Sequence, residues 1–221
     1  MTSFWRKIGN NYHIFKDRHF NIAFAGSLLL LVGSCIVNYL ALLYARDSAS
    51  NPVTDIVLSN TRAFDVEDIF FYGPLVFWVC VSAFLFSRPK TIPFAIKSVA
   101  LFILVRSVFI SLTHIGPFPI KVPLDSIPSY FQYFSSGADL FFSGHTGLPF
   151  LFALMFWESI WLRRIFVVCS IFFGAIVLLG HFHYSIDVLS AFFITYSIYH
   201  IALQLFRKDY TFFKSAPESV N

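Results

Sequence analysis

The chain has 221 residues, of which 57% are hydrophobic and 20% aromatic, while only 13% are charged. A soluble domain of this length carries about twice that charged fraction, which excludes an ordinary water-soluble globule. The formal charge of +4 is modest and scattered in short clusters. No basic stripe or module of the kind that binds nucleic acid is present. The three cysteines, Cys35, Cys80 and Cys169, sit far apart inside apolar runs and form no CxxC motif, zinc pattern or disulfide framework.

In chain order, residues 1–21 form a polar N-terminal segment. Six stretches follow, near 22–44, 69–87, 93–112, 145–161, 165–180 and 186–206. Each approaches the roughly 20 apolar residues needed to cross about 30 Å of hydrocarbon. The first is too long for a signal-peptide core and reads as an uncleaved anchor. No ten-residue alternating pattern suggests a barrel, and only helices satisfy their own backbone when spanning alone. The expected fold is therefore all-α, a polytopic bundle of six transmembrane helices over residues 22–206, with a tail at 207–221. No internal repeat or second soluble domain is visible.

The connecting segments alternate in basic content. One set holds Arg6, Lys7, Lys16 and Arg18, then Arg88 and Lys90, then Arg163 and Arg164, then Arg207, Lys208 and Lys214. The other holds only Arg46, Arg62 and Lys121. By the positive-inside rule both termini are expected in the cytoplasm. Two longer segments, about 45–68 and 113–144, then lie on the extracytoplasmic face. The first is acidic, with Asp47, Asp55, Asp65, Glu67 and Asp68.

Two short stretches concentrate reactive groups. Asp139-Leu-Phe-Phe-Ser143-Gly144-His145-Thr146 stands at the outer entrance to the fourth stretch. His181-Phe-His183-Tyr184-Ser-Ile-Asp187 stands where the fifth turns into the sixth. The topology brings both to one membrane face, although nearly forty residues separate them. Ser143-Gly144 before an apolar helix is a helix start, whose free N–H groups and positive dipole end favour an anion. His183 and Asp187 are spaced i, i+4 and share a helix face if the sixth helix starts early enough. A carboxylate beside an imidazole fixes its tautomer and stabilises its cation. This suits His183 as nucleophile or base and leaves His145 to protonate a leaving oxygen.

A lone interfacial histidine is usually structural, and His13, His19, His114 and His200 are read that way. An ionisable His–Asp pair at a membrane edge is costly and seldom idle. A zinc site from His145, His181, His183 and Asp187 has no supporting motif. Arg106, inside the third stretch, is expected to face the bundle interior and pair with phosphate or a carboxylate.

These residues resemble the sphingomyelin synthase family, within the wider type 2 phosphatidic acid phosphatase superfamily. Ser143-Gly144-His145-Thr146 resembles that family's SGHT motif, preceded by Asp139 at the position of its Asp. The run from His183-Tyr184-Ser-Ile-Asp187-Val to Tyr199-His200 is similar to its HYT-x-DV…YH pattern. Arg106 with Thr113-His-Ile-Gly-Pro117-Phe-Pro119 resembles the arginine and proline-rich second motif, and Pro52-Val-Thr54-Asp55 weakly resembles the PLPD first motif. The resemblance spans roughly residues 50–205. It implies that His183, supported by Asp187, attacks phosphorus, while His145 protonates the departing diacylglycerol. A ceramide-like lipid alcohol then takes the head group from the phosphohistidine, with no metal or cofactor. Arg106, Asp139, Ser143, Gly144 and Tyr184 are the candidate substrate contacts. The partners implied are a phospholipid donor, a lipid acceptor and the bilayer.

There are departures. Gly137-Ala138 stands where the family has Cys-Gly, and Thr54 replaces the second proline of PLPD. Lipid phosphatases of the superfamily are the rival reading. They carry an SR pair ahead of the final His and a Lys…Arg-Pro motif. Here Val177-Leu178 occupies the SR position, and no Arg-Pro follows the third stretch. A phosphate monoester bears close to two charges and wants several cations, so a site with few suits a diester. Tyr130, Phe131, Tyr133, Phe134 and Tyr184, or the acidic first loop, could hold a choline ammonium. An interfacial aromatic belt explains most of these rings equally well. A channel or passive lipid-binding protein would have no reason to gather two His and an Asp on one face.

Overall fold

The computed structural model describes residues 13–120 and 140–215, all helix, turn and loop with no strand among them. The helices are α1 (Arg18–Ser48), α2 (Glu67–Ser87), α3 (Ile92–Leu112), α4 (Gly144–Met155), α5 (Ile160–Leu179), α6 (Ser185–Leu205) and α7 (Arg207–Lys214). Five of them, α1, α2, α3, α5 and α6, are long and apolar enough to cross a membrane.

The outside of the bundle is as apolar as its inside. Leu29 is 74% exposed, Val79 70% and Phe193 69%, a distribution that fits a lipid solvent. α1 begins where the Asp17 carboxylate accepts the His19 N–H at 2.8 Å, a standard N-cap. Its buried positions Phe20, Ser27, Ser34 and Ala41 recur every seven residues. That narrow stripe of mostly small side chains packs α1 closely against α3, as membrane helices do when burial from water gives them no driving force.

The expected fourth span is shorter than its apolar run. α4 has 12 residues, about 18 Å at 1.5 Å per residue, against about 30 Å of hydrocarbon. Its first turn lies level with the middle of α5: the Ser170 hydroxyl donates to the Thr146 carbonyl at 2.7 Å. Residues 140–143 therefore descend into the bundle as irregular backbone, with Leu140 and Phe142 buried. Such backbone is tolerated at depth only where protein groups satisfy it. Here the Thr113 hydroxyl donates to the Leu140 carbonyl at 3.0 Å, and Arg106 Nε to the Phe142 carbonyl at 3.3 Å. Among the described residues, five helices of spanning length and one short helix thus stand where six spans were expected.

The opposite end of the bundle is closed by α7, within the segment expected to be a tail. Lys97 Nζ, on α3, pairs with Asp209 Oδ2 at 2.7 Å, Lys214 pairs with Glu158, and Phe213 packs against Phe94 and Phe156. Arg88, Lys90, Arg163 and Arg207 belong to the turns and helix ends gathered at this pole. The reactive motifs lie at the other.

Candidate active site

α5 ends in a Schellman arrangement. Phe182 N–H donates to the Val177 carbonyl at 2.9 Å and His181 N–H to that of Leu178 at 3.1 Å. This puts His181 at φ 57°, in the left-handed region usually given to glycine. The preceding Gly180 is required for a different reason. Phe182 folds back over it, and a Cβ there would collide with the ring. The turn aims His181 away from its neighbours: Nδ1 lies 2.6 Å from the Ile120 carbonyl and Nε2 3.4 Å from the Thr61 hydroxyl.

His183, only 4% exposed, places Nδ1 at 3.1 Å from Asp187 Oδ2. The same oxygen accepts the Tyr184 N–H at 3.1 Å, so Asp187 caps its own helix while it holds the imidazole. Both motifs meet directly, because Ser143 N–H donates to the Asp187 carbonyl at 3.0 Å. The chain before Ser143 is strained: Phe141 and Phe142 have φ of 151° and 25°. Non-glycine residues in that half of φ space cost about 1–3 kcal/mol each, and such strain gathers at functional sites.

His145 opens α4. Its ring stacks on Phe70 with centroids 4.5 Å apart, and its Nε2 lies 3.3 Å from the Phe70 carbonyl. A carbonyl only accepts, so this bond needs a proton on Nε2. Phe70 also packs against Phe182 at 4.2 Å, and so stands between the two histidine motifs. His145, Gly144 and Arg106 share a cavity of about 250 Å³, closed by Asn38, Phe102 and Phe173. His183 and Asp187 do not line it; they are tied to it through Ser143. Buried Ser143 Oγ, Thr146 Oγ1 and Asp187 Oδ1 have no hydrogen-bond partner among the described residues. Buried polar atoms of this kind are exceptional and call for a functional explanation.

Asp139 lies outside the described residues, as do Tyr130, Phe131, Tyr133 and Phe134. Tyr184 is 1% exposed, and its hydroxyl donates to the Gly116 carbonyl at 2.8 Å while accepting Val53 N–H at 3.2 Å. It fastens two loops to α6 and has no face left for an ammonium. Burial raises its hydroxyl pKa, opposed by the Val53 hydrogen bond.

Two organising residues escaped the sequence reading. Phe70 carries no polar signal at all. Asp55 was visible only as the end of a weak motif and as part of an acidic loop. It is 7% exposed, and its Oδ2 accepts both the N–H and the hydroxyl of Ser185, at 2.7 and 2.8 Å. Its Oδ1 accepts Val57 and Leu58 N–H at 2.8 and 3.0 Å. Burial pushes its carboxyl up, but the bonds from Leu58, Ser185 and Val57 outweigh that and hold it below its ordinary value.

Apolar helices of spanning length define a multi-pass membrane protein. Residues 137–204 match the family model described as PAP2 superfamily C-terminal, which supports a place in the type 2 phosphatidic acid phosphatase superfamily. An activity of the lipid phosphatase or phosphotransferase type goes with that match. No curated protein and no solved structure matches the chain.

Proposed function

We propose that this chain is a membrane phosphotransferase. It moves a phospholipid head group, phosphocholine or phosphoethanolamine, to a ceramide-like lipid alcohol and releases diacylglycerol. The observation that carries this reading is the buried His183–Asp187 pair, joined to the His145 motif by the Ser143–Asp187 bond.

In this reading Asp187 holds Nδ1 of His183 and leaves the Nε2 lone pair to attack phosphorus. As the P–N bond forms, the bond from phosphorus to the diacylglycerol oxygen breaks, and that oxygen takes a proton from His145. The acceptor hydroxyl then returns its proton to His145 as its oxygen attacks phosphorus and the P–N bond breaks. Arg106 and the N–H groups at the start of α4 hold the phosphate oxygens. Asp139 and Ser143 belong to the same substrate set. One arginine in the cavity lining suits a singly charged diester better than a doubly charged monoester. Depth supports transfer as well, because a site recessed among Phe102, Phe142 and Phe173 keeps water scarce around the intermediate. The basic residues at the far pole support cytoplasmic termini and an extracytoplasmic site.

The superfamily match also supports hydrolysis, as a lipid phosphatase or a phospholipase C-type reaction. Purified protein given labelled phosphatidylcholine or phosphatidylethanolamine, with and without ceramide, separates the two. Transfer predicts a phosphorylated sphingolipid forming faster than free head group, with diacylglycerol released. Products unchanged by ceramide, or phosphatidic acid as the best substrate, decide for hydrolysis.

A further inference from the structure

A larger groove than the reactive cavity runs between α2 and α5, with a volume of about 710 Å³. Its lining begins at Asp68 and Tyr72 in the first turns of α2 and continues past Cys80 to Phe84, faced by Cys169 and Phe173 from α5. Residues 68–84 of a helix extend about 24 Å, more than one leaflet of a hydrocarbon core about 30 Å thick. The groove adjoins the reactive cavity, with Phe77 and Phe173 lining both. At that junction α2 carries Gly73-Pro74, and a Cβ on Gly73 would lie 2.7 Å from the Phe173 ring. The absent side chain is what lets Phe173 stand between the two spaces.

We propose that this groove holds an acyl chain of the phospholipid donor. The head group lies at the Asp68–Tyr72 end, and the phosphodiester passes Phe173 to reach Arg106 and His145. The inference rests on the phospholipid reading above and adds where the donor lies. The length suits a chain: the lining continues along about 24 Å of α2, more than the depth of one leaflet of hydrocarbon. The polarity argues likewise. Below the mouth the lining is apolar side chains and two thiols, a surface that suits a hydrocarbon chain. At the mouth an acidic and an aromatic side chain suit the ammonium of a choline or ethanolamine head group.

Native cysteines supply the test. Cys80 and Cys169 line the groove, while Cys35 is on α1, and Cys35 and Cys80 are both exposed. Detergent-purified protein is titrated with dioleoylphosphatidylcholine, and alkylation of each thiol by N-ethylmaleimide is followed by mass spectrometry. We expect Cys80 and Cys169 to slow several-fold while Cys35 keeps its rate. Equal slowing at all three, as from a general lipid coat, or none at Cys80, overturns the proposal. Val76→Trp, on the groove lining, should raise KM for long-chain donors several-fold and by more than for short-chain donors. An unchanged long-chain KM also overturns it. Protection of Cys80 without turnover of any phospholipid defeats the enzymatic reading and leaves the groove assignment standing; turnover without protection does the reverse.

Discussion

The Asp55 carboxylate receives Ser185 twice, through the backbone N–H at 2.7 Å and the hydroxyl at 2.8 Å. Ser185 is the first residue of α6, and its neighbours two positions to either side are His183 and Asp187. A carboxylate from the first loop therefore caps the helix that carries Asp187 in its first turn and His183 just ahead of its N-cap. The functional link is positional. Asp55 touches no reacting atom, yet it fixes the turn that does.

Asp55→Asn keeps one oxygen for Val57 and Leu58 but turns an NH2 group toward Ser185. We expect a loss of about 1.5–3 kcal/mol in stability and a lower kcat with little change in KM. The folded carboxyl lies below its ordinary value of 3.8, so its stabilisation is complete above that value and disappears as pH falls through the lower folded value. The Tm gap between wild type and variant, measured across pH, should be full at neutral pH and shrink below the carboxylate range. A constant gap would show that charge on Asp55 is not the source.

His145→Ala, His183→Ala and Asp187→Ala should each lower kcat about a thousandfold or more while the protein remains folded in detergent. Groups that act as one unit are not additive, so the double histidine variant should be little worse than either single. Normal turnover in any single variant removes that residue from the mechanism.

Arg106 both satisfies the Phe142 carbonyl and faces the reactive cavity. Arg106→Lys keeps the charge but loses the planar fork that serves two directions at once. More than about tenfold loss of kcat/KM is expected, one lost charge-assisted contact being worth about 1.4 kcal/mol or more. Wild-type kinetics in both Arg106→Lys and Arg106→Ala would confine the residue to packing.

Gly180→Ala introduces a methyl group where Phe182 lies against the backbone. Moving that ring disturbs both its contact with Phe70 and the placement of His183. Overpacking should cost about 1–3 kcal/mol, and activity should fall further than stability because the shifted ring adjoins the site. Unfolding and turnover measured on the same preparation check this; a stability loss with intact kcat would separate the turn from catalysis.

Sidedness is tested in a background with Cys35, Cys80 and Cys169 replaced by Ala. A cysteine at Ile56, which is 82% exposed in the first loop, should react with an impermeant thiol reagent added outside sealed cells. One at Arg164, exposed at the basic pole, should react only after permeabilisation. The reverse pattern places the site on the cytoplasmic face.

Much of this was open to reading in the chain itself. Apolar runs of spanning length required lipid as the solvent, because both helix length and hydrogen-bond closure follow from local sequence. Four residues of separation likewise keep His183 and Asp187 within reach, although α6 begins only at Ser185 and the pair forms where Asp187 caps the helix start, not along a helix face. Tertiary structure decided the rest. The apolar run at 145–161 does not reveal that residues 140–143 descend unwound, because the carbonyls of Leu140 and Phe142 are satisfied by Thr113 and Arg106, residues of another helix. Nor could local pattern give Asp55 its partner 130 residues away, or set Phe70 between His145 and Phe182. A hydrogen bond or ring contact across the bundle depends on how helices pack, and packing is a property of the assembled chain that no local period encodes.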